Sequence, residues 1–291
     1  MATWQVGNVR VTQIVELGGA PISPKFLFVG GTKEHVCRHA WLRPNYANDE
    51  GKLFMSVHAF IVESEGRRIV VDTCVGNDKP RTVQGWNQLQ GPFLADLAAA
   101  GYPPESIDTV LCTHMHVDHV GWNTRLVEGR WVPTFANARY LFARTEWEHF
   151  ANDHGERGMG DVIGDSVRPI LDAGLADLVE HDHRVTREVW LESTPGHTPG
   201  HVSVRIQSQG SEAVITGDVM HHPIQCSEPD LHSTFDFDPE QARHTRRAFL
   251  ARYCDQPVLV LGTHFAPPAA GWLVSAGDVW QLAESPRPNA A

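Results

Sequence analysis

His114-Met115-His116-Val117-Asp118-His119 sets three imidazoles and one carboxylate in a single short run, and the reading of that run decides the fold. Residues 107–112, just ahead of it, are mostly apolar and read as a strand delivering its carboxyl end to a loop. On such a loop His114 and His116 can converge on one ion, while Asp118 and His119 point to a second position close by. Imidazole and carboxylate ligands without thiolate suit Zn²⁺ first, with Fe, Mn or Co as alternatives, and a catalytic site keeps a coordination position open.

Working outward, the same layout of β-rich run, threonine and candidate ligand recurs. Thr113-His114 is followed by Thr194-Pro195-Gly196-His197, Thr216-Gly217-Asp218 and Thr263-His264. A lone histidine at a strand end is usually an exposed or hydrogen-bonded side chain; four segments built alike are read together as a ligand set. One ion would take His114, His116 and His197, the other Asp118, His119 and His264, with the two oxygens of Asp218 bridging them. Two divalent ions so bridged hold a hydroxide, and metals bring the pKa of bound water to near ~7.

The rest of the composition narrows the class. Twenty-four basic against thirty-five acidic residues give a net charge of −11 over 291 residues, which disfavours a nucleic-acid partner. Cys37, Cys74, Cys112, Cys226 and Cys254 are odd in number and form no C-x-x-C pair, so neither a disulfide framework nor a thiolate zinc site is expected, and a reducing cytoplasm is the simplest home. The N-terminus lacks a basic segment followed by an apolar one, and no stretch approaches a membrane span. No membrane association is expected.

Residues 9–17 alternate as a half-buried strand until Pro21 and Pro24. Residues from about 20 to 52 read as a long loop, either a lid or a homodimer contact. A hairpin is expected over 55–72 around Glu65-Gly66, helices over 93–100, 145–152 (with Thr145 as N-cap), 166–178 and 239–253 (with Asp238 as N-cap), and strands over 138–143, 188–193, 202–207, 213–216 and 257–261. Strands in runs with a few interleaved helices predict an α+β chain of two packed sheets with helices outside. No linker is visible, so 1–291 reads as one domain, with a frayed tail over 284–291.

The H-x-H-x-D-H run, the Thr-Pro-Gly-His and Thr-Gly-Asp segments and the late Gly262-Thr263-His264 resemble the metallo-β-lactamase-fold hydrolases, most of all the lactonase and methyl-parathion-hydrolase branch. The resemblance implies an αβ/βα four-layer sandwich of two mixed sheets flanked by helices, with a binuclear metal site at one edge. It implies a hydrolase that uses a metal-bridging hydroxide on an ester-type bond, a lactone or a carboxylic or aryl ester. Phosphotriesters and glyoxalase-II-like thioesters are alternatives, and an iron-dependent persulfide dioxygenase is the rival from another class. Lactamases of the fold generally lack the bridging aspartate that Asp218 resembles. Acyl-homoserine lactonases carry a tyrosine three residues beyond that aspartate, where this chain has His221.

Around the ligands, Asp118 is expected to steer the hydroxide and shuttle its proton, and His221 to donate to a substrate oxygen. Asp72 matches a family position that supports the metal loop; Thr113 and His201 are assigned the same supporting role through hydrogen bonds. Trp86, Phe93, Trp122, Phe265 and Trp272 flank the motifs, and some of them should line an apolar substrate pocket.

Overall fold

The computed structural model describes residues 1–151 and 159–286. The chain opens with β1 (Ala2–Val6) and β2 (Val9–Ile22), then α1 (Pro24–Leu27) and α2 (Lys33–Cys37), β3 (Leu53–Ser64), β4 (Arg67–Val71), α3 (Phe93–Ala99) and β5 (Thr109–Leu111). A hairpin of β6 (Thr124–Val127) and β7 (Arg130–Pro133) precedes β8 (Arg139–Ala143), α4 (Arg144–Phe150), α5 (Arg168–Asp172) and β9 (Ala176–Val179). The second half runs through β10 (Val189–Ser193), β11 (Val202–Ser208), β12 (Ser211–Ile215), α6 (Ile224–Ser227), α7 (Pro239–Tyr253), β13 (Val258–Leu261), β14 (Ala270–Ala276) and β15 (Val279–Ala283).

These strands form a seven-stranded sheet, ordered β1-β2-β3-β4-β5-β8-β9, and a six-stranded sheet, β10 to β15 in sequence order. Both are mixed, being parallel at β4/β5, β5/β8, β8/β9 and β12/β13 and antiparallel elsewhere. Side chains alternate across a strand, so each sheet presents two apolar faces. In β3, Phe60 and Val62 turn inward to meet Val204, Ile215 and Leu261 of the other sheet. Ala59 and Ile61 turn outward to pack with Phe93 and Leu97 of α3, in a layer that also holds Phe150 of α4 and Ile170 of α5. On the far side, Val214 and Val260 are covered by Phe249, Leu250 and Tyr253 of α7. The result is helix, sheet, sheet, helix, the four layers expected from the resemblance.

Two local expectations are met closely. Glu65 and Gly66 turn the β3–β4 hairpin with φ of 51° and 79°, the left-handed pair that a tight two-residue turn requires. The carboxylate of Asp238 accepts from the N–H of Glu240 at 3.1 Å and of Gln241 at 3.0 Å, capping α7. Asp238→Ala is expected to lower unfolding stability by about 1 kcal/mol, read from urea melts, because those two amides lose their acceptor.

Other expectations need correction. β2 continues past Pro21 to Ile22 because its pairing with β3 shifts register between Gly18 and Pro21, an irregularity at which proline is tolerated. The following stretch, expected to be a loop, contains α1, α2 and a 3₁₀ turn at Ala40–Leu42. It is tied to the body where His222 Nε2 pairs with the Tyr46 carbonyl at 2.8 Å and Trp41 Nε1–H donates to Ser227 Oγ at 3.2 Å. The expected helix over 166–178 is a π turn (Ile163–Val167) and α5, closed by Gly174 at φ 69°, and its last residues form β9. α4 starts at Arg144 with Ala143 as its N-cap, so Thr145 lies inside the helix; Asn152 falls outside the described residues, as do 287–291 of the tail.

Candidate metal centre

Strand direction brings the ligand segments to one rim. β4 and β5 run parallel, as do β12 and β13, and β10 runs with β12 because each is antiparallel to β11. His114, His197, Asp218 and His264 all follow the carboxyl ends of such strands. The Val202 N–H donates to the Thr113 carbonyl at 3.0 Å, joining the two sheets beside the site.

Asp218 sits at the centre. Its Oδ2 lies 3.2 Å from His221 Nε2, 3.3 Å from His264 Nε2, 3.4 Å from both His119 Nε2 and His197 Nε2, and 3.8 Å from His114 Nε2. His197 Nε2 and His116 Nδ1 face each other at 2.8 Å, and His119 Nε2 and His264 Nε2 at 3.2 Å. Asp118, half-buried, places its oxygens 3.7 Å from His119 Nε2 and 3.5 Å from His264 Nε2. Among the described residues four donor groups have ligand atoms within 4.8 Å of one another: the expected sets His114/His116/His197 and Asp118/His119/His264, with His114/His119/Asp218 and His197/His221/Asp236 beside them.

Electrostatics favour cations here. Burial, reinforced by neighbouring imidazoles, holds His114 and His116 well below the usual histidine pKa, so their lone pairs stand ready as ligands. Burial opposes charge on His119 too, but Asp218, Asp72 and Asp118 outweigh it and raise its pKa. Burial likewise works against the Asp218 carboxylate, yet His264, His119 and His221 keep it well below the carboxylate range. Two imidazole nitrogens facing each other cannot both direct a proton into the gap. The buried His114 Nε2 and Asp218 Oδ1 have no hydrogen-bond partner among the described residues. Unpaired buried acceptors around a central carboxylate are what a divalent ion satisfies, so the residues fit the metal.

The supporting layer is equally defined. Asp72, at φ 59° directly after β4, accepts from the Thr113 N–H at 2.7 Å and from the His119 imidazole at 3.0 Å. Thr113 Oγ1 donates to Asp72 at 2.9 Å and contacts His114 Nδ1 at 3.0 Å. His201 is placed behind the ligands: Nδ1 lies 3.0 Å from the Thr194 carbonyl and Nε2 accepts from the Asp218 N–H at 2.7 Å. That bond orients the turn carrying the central carboxylate.

The sequence profile of the metallo-beta-lactamase superfamily matches residues 54–264, a span that holds every one of these candidate ligands. The chain belongs to that superfamily. The N-acyl homoserine lactonase AiiA of Bacillus thuringiensis subsp. kurstaki is 29% identical over 211 residues, covering 68% of this chain and 77% of that protein. Among solved structures, the hydrolase AbOPH of the beta lactamase superfamily superposes with a TM-score of 0.79 at 24% identity, covering 97% of this chain and 96% of that one. AidC, a dizinc quorum-quenching lactonase in complex with a homoserine product, superposes at 0.74 with 18% identity, over 97% and 96% of the two chains.

In this member of the superfamily a cavity of about 400 Å³ opens above Asp218, with His116, Asp118, His197, His221 and His264 in its floor. Its walls are apolar: Leu17 and Ile22 from β2, Phe26 from α1, Val83 and Trp86 from the loop before α3, and Phe235. No lysine or arginine is among the described lining residues. Of the aromatics expected to line it, only Trp86 does. Phe93 and Trp122 stack on each other in the core with centroids 5.8 Å apart, Phe265 is fully buried, and Trp272 packs against the layer between the sheets. The β2 extension and α1 supply Leu17, Ile22 and Phe26 in their place.

Several working residues carry no local signal. Glu146 on α4, 1% exposed, accepts from the N–H of Met115 and of Gly200, both at 2.9 Å, joining the two ligand loops. Burial pushes its pKa up to about 7 despite those bonds. Glu146→Ala would strand two buried amides, so a loss of about 2–4 kcal/mol is expected in urea unfolding of the metal-free protein. Gly196, at φ 130°, brings its backbone so close to α7 that an added Cβ would lie 2.3 Å from Ala242 N, which is why glycine precedes His197.

Proposed function

We propose that this chain is a binuclear metal-dependent hydrolase of neutral, apolar esters, with lactones and aryl esters as its substrate class. The carrying observation is that the central carboxylate of Asp218, ringed by imidazoles, lies at the floor of a cavity with no lysine or arginine among its described lining residues. The names of the AiiA and AidC relatives, both lactonases, support the ester-type bond.

His114, His116 and His197 would hold one ion and Asp118, His119 and His264 the other, with Asp218 shared. Zn²⁺ suits this set of imidazoles and carboxylates, with Fe, Mn or Co as alternatives. Bound there, divalent ions supply Lewis acidity toward the substrate oxygen and activate water at neutral pH. Asp118, reaching the cavity floor, accepts and returns the proton. His221 lines the cavity with its Nε2 3.2 Å from Asp218 Oδ2, which supports a role for it as donor to a substrate oxygen. The apolar walls exclude water and seat an alkyl or aryl substituent. An anionic thioester such as that of glutathione finds no lysine or arginine among the described residues of those walls.

The test is a panel of γ- and δ-lactones, aryl esters, a phosphotriester, a glutathione thioester and a β-lactam on zinc-loaded enzyme. Neutral lactones or aryl esters should be turned over at least about a hundredfold faster than the thioester, an expected gap of roughly 3 kcal/mol. Preferred turnover of the thioester, or oxygen uptake on a persulfide, would overturn the reading.

A further inference from the structure

Each proposed metal position has one imidazole backed by a buried carboxylate. At the Asp118/His119/His264 position it is Asp72 behind His119, at 3.0 Å. At the other, the His197 imidazole Nδ1 pairs with Asp236 Oδ1 at 2.8 Å, and the Asp236 side chain is fully buried. Asp236 lies outside every ligand motif. Its second oxygen accepts from the Ser233 N–H at 2.9 Å and stands 3.7 Å from Arg246 Nη2.

Arg246 is the most voluminous of the fully buried side chains, on the face of α7 that meets the site. Its Nε–H donates to the Val219 carbonyl at 3.0 Å, and Nη1 donates to the carbonyls of Pro229 and Leu231, both at 2.9 Å. Val219 immediately follows the central carboxylate Asp218. One guanidinium therefore spans three separate parts of the site: the turn bearing Asp218, the loop over 229–231 and the carboxylate behind His197. His221 and Leu231 are further linked through Gln225, which accepts from the His221 N–H at 2.8 Å and donates to the Leu231 carbonyl at 2.8 Å. The N–H of Phe237 donates to the His197 carbonyl at 2.9 Å, so the same segment fixes both the backbone and the ring of that ligand.

We propose that Asp236, held by Arg246, is a positioning residue that fixes the ring orientation of His197 and so sets the metal affinity of the His114/His116/His197 position alone. This rests on the two-position reading above. A carboxylate on the far nitrogen of a ligating imidazole fixes its tautomer and aim, and its loss typically costs 10–100-fold in metal affinity. A buried charge lacking its counter-ion would not hold its place, and Arg246 provides that counter-charge within a fully buried setting.

The test is Zn²⁺ titration of metal-free wild type, Asp236→Ala and Asp236→Asn against a chromophoric chelator, with far-UV circular dichroism on each protein. Wild type should take two ions. Asp236→Ala should bind one ion about 10–100-fold more weakly while the other keeps its wild-type affinity. Asp236→Asn, which keeps an oxygen toward His197 Nδ1 but loses the negative charge, should weaken the same ion by about 3–10-fold, and it carries the test if the alanine variant does not fold. A purely structural Asp236 would weaken both ions together or neither, and either result overturns the proposal, as does unaltered affinity in the asparagine variant when the alanine variant is unfolded. Wild type binding fewer than two ions would sink the two-position reading itself.

Discussion

Replacement of Asp218 by alanine is expected to lower kcat/KM on a neutral lactone or aryl ester by at least about a thousandfold, with bound metal falling from two ions to one or none. The reasoning is electrostatic. Its Oδ2 is within 3.8 Å of five imidazole nitrogens drawn from both donor sets and His221. Metal-assisted charge stabilisation is worth several kcal/mol, and each 1.36 kcal/mol is tenfold in rate. An alanine also leaves the Asp218-facing edges of His119 and His264 with only Asp118 as anion. Steady-state kinetics paired with metal analysis reads both effects. A variant that retained two ions and lost less than about tenfold would show that the carboxylate is peripheral.

The second large effect is that of metal removal on the fold. Without ions, the buried His114 Nε2 and Asp218 Oδ1 go unpaired, so the native state carries a cost that the unfolded chain does not. A ligand present at a thousand times its Kd stabilises the native state by about 4 kcal/mol, and at this chain length that corresponds to a melting point roughly 10 °C higher. Dialysis against a chelator should therefore abolish hydrolysis and lower Tm by about that amount, with Zn²⁺ restoring both. The Asp218→Ala variant should respond to the chelator much less. Thermal melts with and without metal check this directly.

Much of the site was legible because its information is local. Each of Thr113-His114, Thr194–His197, Thr216–Asp218 and Thr263-His264 carries its candidate ligand within four residues of a strand end, and the threonines, at 0%, 4%, 0% and 2% exposure, are all buried. Period-two alternation likewise exposed the start of β2, and β-rich or apolar runs exposed β3, β10, β11 and β13. What escaped is held by contacts distant in sequence. Asp236 meets His197 across 39 positions, Glu146 meets Met115 across 31 and Gly200 across 54, and no spacing rule links those pairs.

Secondary structure failed where two signals overlapped. Ala176–Val179 continues the apolar pattern of α5 and reads as more helix, although Gly174 in the left-handed region has already ended it and the segment pairs with β8. β14 and β15 follow the proline pair at 267–268 and are only partly buried, so their alternation is weak. The pocket walls were misassigned for a related reason. Aromatics near the motifs, Phe93 and Trp122 among them, are drawn into the core by their area, whereas Phe26 and Phe235, which meet edge to face at 5.9 Å beside the cavity, lie far from any motif.

The most direct test of the central claim is a stoichiometric titration of metal-free protein with Zn²⁺, following hydrolysis of a neutral aryl lactone at each addition. Activity should be absent at zero equivalents and reach its plateau at two. Full activity without metal, or a plateau already complete at one equivalent, would contradict the shared-carboxylate site built on Asp218.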